Sequence, residues 1–103
     1  MLSYNIIIPV YNEEENVKLI YEQISKLDIY NDIKITFVDD GSTDNSLNTI
    51  KNIANKDIKV NFISFSKNFG HQIALSAGID NSIADATIMM DADYNILLNV
   101  SQK

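Results

Sequence analysis

Asp91-Ala92-Asp93 closes the apolar run Ala86-Thr87-Ile88-Met89-Met90, which reads as a buried strand, so two carboxylates emerge together at a strand end. Residues two apart in an extended chain point to the same face, and paired hard oxygens suit a divalent cation carrying a phosphorylated ligand. Taken alone, the triplet reads more readily as a solvated acidic turn, since Asp is a common turn residue. The other polar clusters of the chain change that balance once the elements that position them are placed.

Tyr4 to Val10 holds the β-branched run Ile6-Ile7-Ile8, and Pro9, lacking a backbone donor, fits the end of that strand. Glu13 to Leu27 sets Val17, Ile20, Ile24 and Leu27 at helical steps, with Glu13, Glu14 and Glu15 where a helix N-terminus favours negative charge and Asn12 as N-cap. Ile33 to Val38 reads as a second strand, followed by the turn cluster Asp39-Asp40-Gly41-Ser42-Thr43-Asp44 and a helix marked by Leu47, Ile50 and Ile53. Lys59 to Phe65 reads as a third, less fully buried strand. Gly70 to Ile83 carries a third helix with Ile73, Ala74, Ala77 and Ile83 on one face, where Ala74, Ala77 and Gly78 allow close approach to a sheet. The strand before Asp91 is the fourth.

Strand and helix alternate throughout, which predicts crossover connections, a parallel sheet and ligands at the carboxyl ends of the strands. That rule sends Pro9-Val10-Tyr11-Asn12-Glu13, Asp39-Asp40-Gly41-Ser42, Ser66-Lys67-Asn68-Phe69-Gly70 and Asp91-Ala92-Asp93 to one edge. Four clusters scattered in sequence become one site in space.

Composition narrows the chemistry. A chain of 103 residues, 46% hydrophobic, is one domain with a modest core. Fourteen acidic against eight basic residues give a net charge of −6, which disfavours nucleic acid as a partner. Without Cys there is no disulfide framework or thiolate chemistry, and the cytoplasm is the expected compartment. Met1 to Tyr4 has no basic segment and the apolar runs fall far short of about 18 residues, so neither a signal peptide nor a transmembrane span is expected. Membrane contact would be peripheral.

Val10-Tyr11-Asn12-Glu13-Glu14 lacks the closely spaced glycines of a dinucleotide fingerprint, and no Lys follows a glycine-rich loop as in a P-loop. A diphosphate bound here would need its charge neutralised by a cation at Asp91 and Asp93, an arrangement suited to nucleotide-sugar chemistry.

Ile8-Pro9-Val10-Tyr11-Asn12-Glu13-Glu14, Val38-Asp39-Asp40-Gly41-Ser42-Thr43-Asp44 and Met90-Asp91-Ala92-Asp93 together resemble the family 2 glycosyltransferases of the GT-A fold, in the expected order and spacing. Ser66-Lys67-Asn68-Phe69-Gly70-His71-Gln72 is similar to the branch that transfers sugars to polyprenyl phosphates, such as dolichyl-phosphate mannose synthases and bactoprenol glucosyltransferases. The resemblance implies a three-layer α/β/α Rossmann-like domain with a mainly parallel four-stranded sheet. It implies a nucleoside-diphosphate sugar as donor, Mg²⁺ or Mn²⁺ as cofactor, an inverting reaction and a place in cell-wall or polysaccharide synthesis. Pro9, Tyr11 and Glu13 would line the nucleoside pocket, Asp40 would bond the base, and Ala92 would leave room for the nucleotide. Asp91 and Asp93, the DXD motif, would reach ribose, diphosphate and metal. Lys67 is a candidate for meeting ligand charge, with an ordinary solvated lysine as the equal alternative; for His71 a structural role is favoured over phosphate contact.

The sequence departs from the family after the acidic triplet. A Gln-containing, proline-rich turn is usual there, whereas this chain reads Tyr94-Asn95-Ile96-Leu97-Leu98-Asn99-Val100, in which Asn95 could offer an amide oxygen to the metal. Family members have roughly another domain's length, which supplies the acceptor pocket and the base. The chain is thus expected to be the donor-binding part, 1–103, with self-association or marginal stability as the consequence of an exposed last strand. Two alternatives stand beside transfer: a nucleotide-sugar-binding or assembly module without turnover and, less favoured for want of a well-placed lysine, a phospho-accepting signalling domain.

Overall fold

The computed structural model describes residues 3–28, 30–81, 84, 86–90 and 92. The β-branched runs form four strands: β1 (Tyr4–Val10), β2 (Ile33–Asp39), β3 (Val60–Ser64) and β4 (Ala86–Met89). Between them lie α1 (Glu14–Ser25), α2 (Ser46–Lys56) and α3 (His71–Asp80), with a short 3₁₀ turn at Tyr30–Asp32. The sheet order is β3-β2-β1-β4 and all three pairings are parallel, as the alternation of strand and helix requires. Val10 pairs with Asp39, and Asp39 with Ser64, so the three strand ends are level at one edge.

The two faces of the sheet are filled differently. Ile6, Ile8, Val10, Ile35 and Phe37 point to one face and bury against Val17, Ile20 and Ile24 of α1 and Ile50 of α2. Ile7 and Val38 point to the other, where Ala74 of α3 covers them. Small residues set the spacing there: a Cβ on Gly78 would lie 2.3 Å from Ile7 Cγ2. The result is the expected three-layer α/β/α sandwich. Among the described residues no helix is long and apolar enough to cross a membrane.

Several local expectations need correction. β4 is not the buried strand that its apolar run suggests but, in line with the exposed last strand also expected, the sheet's edge strand, with Ile88 and Met89 38% and 53% exposed. Met90 and Ala92, just after it, enter the core. Ile73 is not on the packed face of α3 but 51% exposed, because this short helix meets the sheet along Ala74 and Gly78, with Leu75 beside them. Asn12 is not the N-cap of α1. That position falls to Glu13, while Asn12 takes a left-handed backbone with φ 53°. Ile83, expected in α3, lies outside the described residues.

Candidate functional site

At the carboxyl edge three crossover loops meet on the α3 side of the sheet. Pro9, Val10 and Tyr11 end β1, Asp40 follows β2, and Asn68, Gly70 and His71 lead into α3; together they line an open cleft of about 280 Å³. Tyr11 is 45% exposed and Asp40 only 3%, so the cleft has an aromatic wall and an acidic floor.

Asp40 organises this floor. Its Oδ1 accepts from the Phe69 amide at 2.8 Å, and its Oδ2 accepts from the Gly70 amide at 3.0 Å and from Asn68 Nδ2 at 3.1 Å. A carboxylate offers about four acceptor positions, so one remains, on Oδ1. Gly41 makes the same junction sterically. With φ +74° it packs so closely on the third loop that a Cβ would lie 2.3 Å from the Lys67 carbonyl carbon and 2.4 Å from the Asn68 nitrogen. Gly70, with φ 108° and ψ 157°, occupies a region open essentially to glycine alone.

The first and second loops are joined by a separate set of bonds. Asn12 Oδ1 accepts from the Thr43 amide at 2.8 Å and, at 3.3 Å, from Thr43 Oγ1 and the Asp44 amide. The Asn12 amide donates to Ser42 Oγ at 3.0 Å, and the Glu13 amide to Ser46 Oγ at 2.9 Å. Asp44 accepts from the amides of Ser46 and Glu14. Burial pushes the Asp44 carboxyl up, but these hydrogen bonds outweigh it and hold it below the usual carboxylate range.

Of the residues singled out in the sequence, Pro9, Tyr11 and Asp40 are brought together. Glu13 stands apart, in an acidic depression with Asn12, Glu14, Glu15, Asn16 and Asp44, and its Oε2 accepts from Asn16 Nδ2 at 2.7 Å. Lys67 is exposed, its ammonium 5.2 Å from the Phe69 ring centroid and outside the cleft lining. Ala92 packs into the core with Met90 and Val10 on the α1/α2 side, away from the cleft. Asp91, Asp93 and Asn95 lie outside the described residues, and among the described residues no group of three acidic or His side chains could hold a metal. Sequence reasoning missed Asn12 and Asn68 as the residues that tie the loops; their only signal was Asn, a side chain that bonds backbone and tolerates left-handed geometry, in two turns. It also missed that Asp39 is 1% exposed on the opposite face from Asp40, with Oδ1 lacking a hydrogen-bond partner among the described residues.

A parallel three-layer fold with polar loops gathered at its carboxyl edge defines an α/β domain of the GT-A type. Solved structures agree: a mannosyltransferase from Pyrobaculum calidifontis in complex with GDP-Man and Mn²⁺ superposes with a TM-score of 0.81 at 21% identity, covering 89% of this chain and 28% of that one. TarS of S. aureus in complex with UDP gives 0.80 at 21% identity over the same shares. The family model of glycosyl transferase family 2 matches residues 5–100, and the chain belongs to that family. The Bacillus subtilis (strain 168) protein CsbB, whose name marks it as a candidate glycosyltransferase, is 47% identical over 91 residues, 86% of this chain and 28% of its own length. The bactoprenol glucosyl transferase of Shigella phage SfX is 34% identical over 94 residues, 89% of this chain and 31% of its own length. The chain thus spans less than a third of the curated relatives it matches.

Proposed function

We propose that this chain is the donor-binding part of a glycosyltransferase that moves a sugar from a nucleoside diphosphate to a polyprenyl phosphate. The observation that carries the reading is the meeting of Pro9, Tyr11 and Asp40, from two separate loops, in one cleft at the carboxyl edge. The exposed Tyr11 ring offers a stacking wall for a nucleobase, and the remaining acceptor position on Asp40 suits a ring imide or amine. Asn68 and the Phe69 and Gly70 amides hold that carboxylate in place before ligand arrives, which lowers the ordering cost of binding.

Asp91 and Asp93, both hard oxygen donors, are the residues proposed to hold Mg²⁺ or Mn²⁺, which would neutralise charge on the departing diphosphate. The names of the bactoprenol relatives support the polyprenyl acceptor, and such a lipid acceptor would bring the reaction to the inner face of a membrane. All the cleft residues are on the donor side, which favours as second reading a module that binds nucleotide sugar without transfer.

Calorimetric titration of the purified chain with UDP and GDP, each with and without Mn²⁺, tests the proposal when repeated on Asp91→Ala/Asp93→Ala. Metal-dependent binding lost in the double variant supports a donor site, and sugar transfer to a polyprenyl phosphate then separates enzyme from binding module. A folded sample that binds neither nucleotide in any condition overturns it.

A further inference from the structure

We infer that Asn12 is a positioning residue, which fixes the Tyr11 loop against the Asp40 loop and thereby sets the affinity of the cleft for a nucleoside diphosphate. The inference rests on the nucleotide-binding reading of the cleft.

The parallel ladder between β1 and β2 carries order only to its last bond, from the Asp40 amide to the Val10 carbonyl at 2.8 Å. Beyond that bond both chains turn away from the sheet, and Tyr11 on one side and Asp40 on the other are the residues that line the cleft. Asn12 spans the gap. Its Oδ1 gathers the Thr43 amide, the Thr43 hydroxyl and the Asp44 amide, while its own amide donates to Ser42 Oγ. The partners are 30 to 32 residues away in sequence, so the bonds join two loops and do not merely close one turn. Tyr11 is the immediate neighbour of Asn12, and only Gly41 separates Asp40 from Ser42.

Two features make this a task for Asn. The backbone at position 12 has φ 53°, a left-handed conformation that Asn and Asp enter far more readily than other residues bearing a Cβ. The side chain must also present an acceptor to two backbone amides at the start of the α2 turn, which neither Ala nor Gly can do. Gly satisfies the backbone alone. Asp satisfies both in geometry; the helix dipoles at the N-termini of α1 and α2 favour its charge while Glu13, Glu14, Glu15 and Asp44 in the same depression oppose it, so this variant is compared with the parent at raised ionic strength, where that repulsion is screened.

The variants follow from that separation. Asn12→Gly keeps the backbone geometry and removes the acceptor; Asn12→Asp keeps both; Ser42→Ala removes only the bond from the Asn12 amide. Each is titrated with UDP and GDP in Mn²⁺, and amide hydrogen exchange is followed at Thr43 and Asp44 and, as a control for global stability, at Ile20 and Ile50. The expected result is nucleotide binding at least tenfold weaker in Asn12→Gly, a smaller loss in Ser42→Ala and binding within threefold of the parent in Asn12→Asp. Exchange should quicken at Thr43 and Asp44 in Asn12→Gly and stay unchanged at Ile20 and Ile50. Unchanged binding in Asn12→Gly, equal losses in the Gly and Asp variants, or faster exchange at Ile20 and Ile50 as well would overturn the positioning role. A parent chain that binds neither nucleotide overturns the reading of the cleft itself, a different failure from a parent that binds and a Gly variant that binds equally well.

Discussion

The amide of Gly70 donates to Asp40 Oδ2 at 3.0 Å, across 30 residues of sequence and two crossover loops. With the Phe69 amide on Oδ1 and Asn68 Nδ2 beside it, this makes Asp40 an anchor of the β3–α3 loop as well as the floor of the cleft. Asp40→Asn replaces one accepting oxygen by an NH₂ group, which must face an amide donor at a 3% exposed position. The expected loss is about 2 kcal/mol, roughly 10 °C in Tm, together with weaker nucleotide binding. Thermal unfolding followed by circular dichroism checks it; an unchanged Tm would show that the carboxylate is dispensable to the loop.

Gly41→Ala separates the shape of the cleft from its chemistry. The added methyl cannot be accommodated by a side-chain rotation, since what it meets is the backbone of Lys67 and Asn68 at 2.3 and 2.4 Å. The β3–α3 loop must move away or the turn at φ +74° must open, at a cost of about 1–3 kcal/mol. Asp40 keeps its carboxylate but loses the fixed position of its donors. Backbone amide shifts at residues 67–70 in an NMR spectrum are the expected signature; shifts confined to residues 40–42 would contradict it.

Much of this was legible in the sequence, for physical reasons that differ by element. The strands around Ile6-Ile7-Ile8 and Ile33 to Val38 announce themselves because a parallel sheet buried on both faces needs continuous β-branched runs. The carboxyl-edge rule sent Pro9, Tyr11 and Asp40 to the edge where they line one cleft, and with them Glu13 and Lys67, which lie outside that cleft. What was illegible depends on which neighbour covers an element. Ala86 to Met89 reads as buried by composition, but its exposure is set by its place at the sheet edge, which no local pattern records. Ile73 has helical spacing from Ala77, yet α3 packs on the sheet through Ala74, Gly78 and Leu75. Asn12 was readable as a helix cap, and only the partner loop 31 residues on reveals it as a bridge.

Gly78→Ala opposes two effects of known sign. Ala is the better helix former by about 1 kcal/mol. Its methyl, however, would lie 2.3 Å from Cγ2 and 3.2 Å from Cδ1 of Ile7, a residue with no exposed surface to retreat into. Overpacking of this kind costs about 1–3 kcal/mol, so the variant should be less stable than the parent by denaturant titration. The contact also predicts coupling: Ile7→Ala should cost less in the Gly78→Ala background than alone. Strictly additive effects would mean that α3 shifts as a body and does not press on Ile7.

The opposite end of the domain carries an acid-sensitive clasp. Tyr21 and Tyr30 both donate their hydroxyls to Asp57 Oδ2, and the Lys59 amide donates to Oδ1 at 3.0 Å. Burial pushes the Asp57 carboxyl up, but these bonds and the Lys59 charge outweigh it and leave it below the usual range. Burial and the bond to Asp57 raise both phenols. A carboxyl depressed in the folded state contributes stability above its unfolded value, near 3.8, and that contribution is lost as pH falls through the folded value. Raised phenols contribute below their unfolded value of 10.0, and their share is lost as pH rises beyond it. Tyr21→Phe/Tyr30→Phe should therefore lower stability by about 2 kcal/mol at neutral pH, with the gap to the parent narrowing below about pH 4 and above about pH 10. Urea unfolding of both proteins across that range measures the gap directly. A gap constant from pH 2 to pH 11 would mean that the tyrosines act through ring packing, and that their hydroxyls leave the Asp57 carboxylate unaffected.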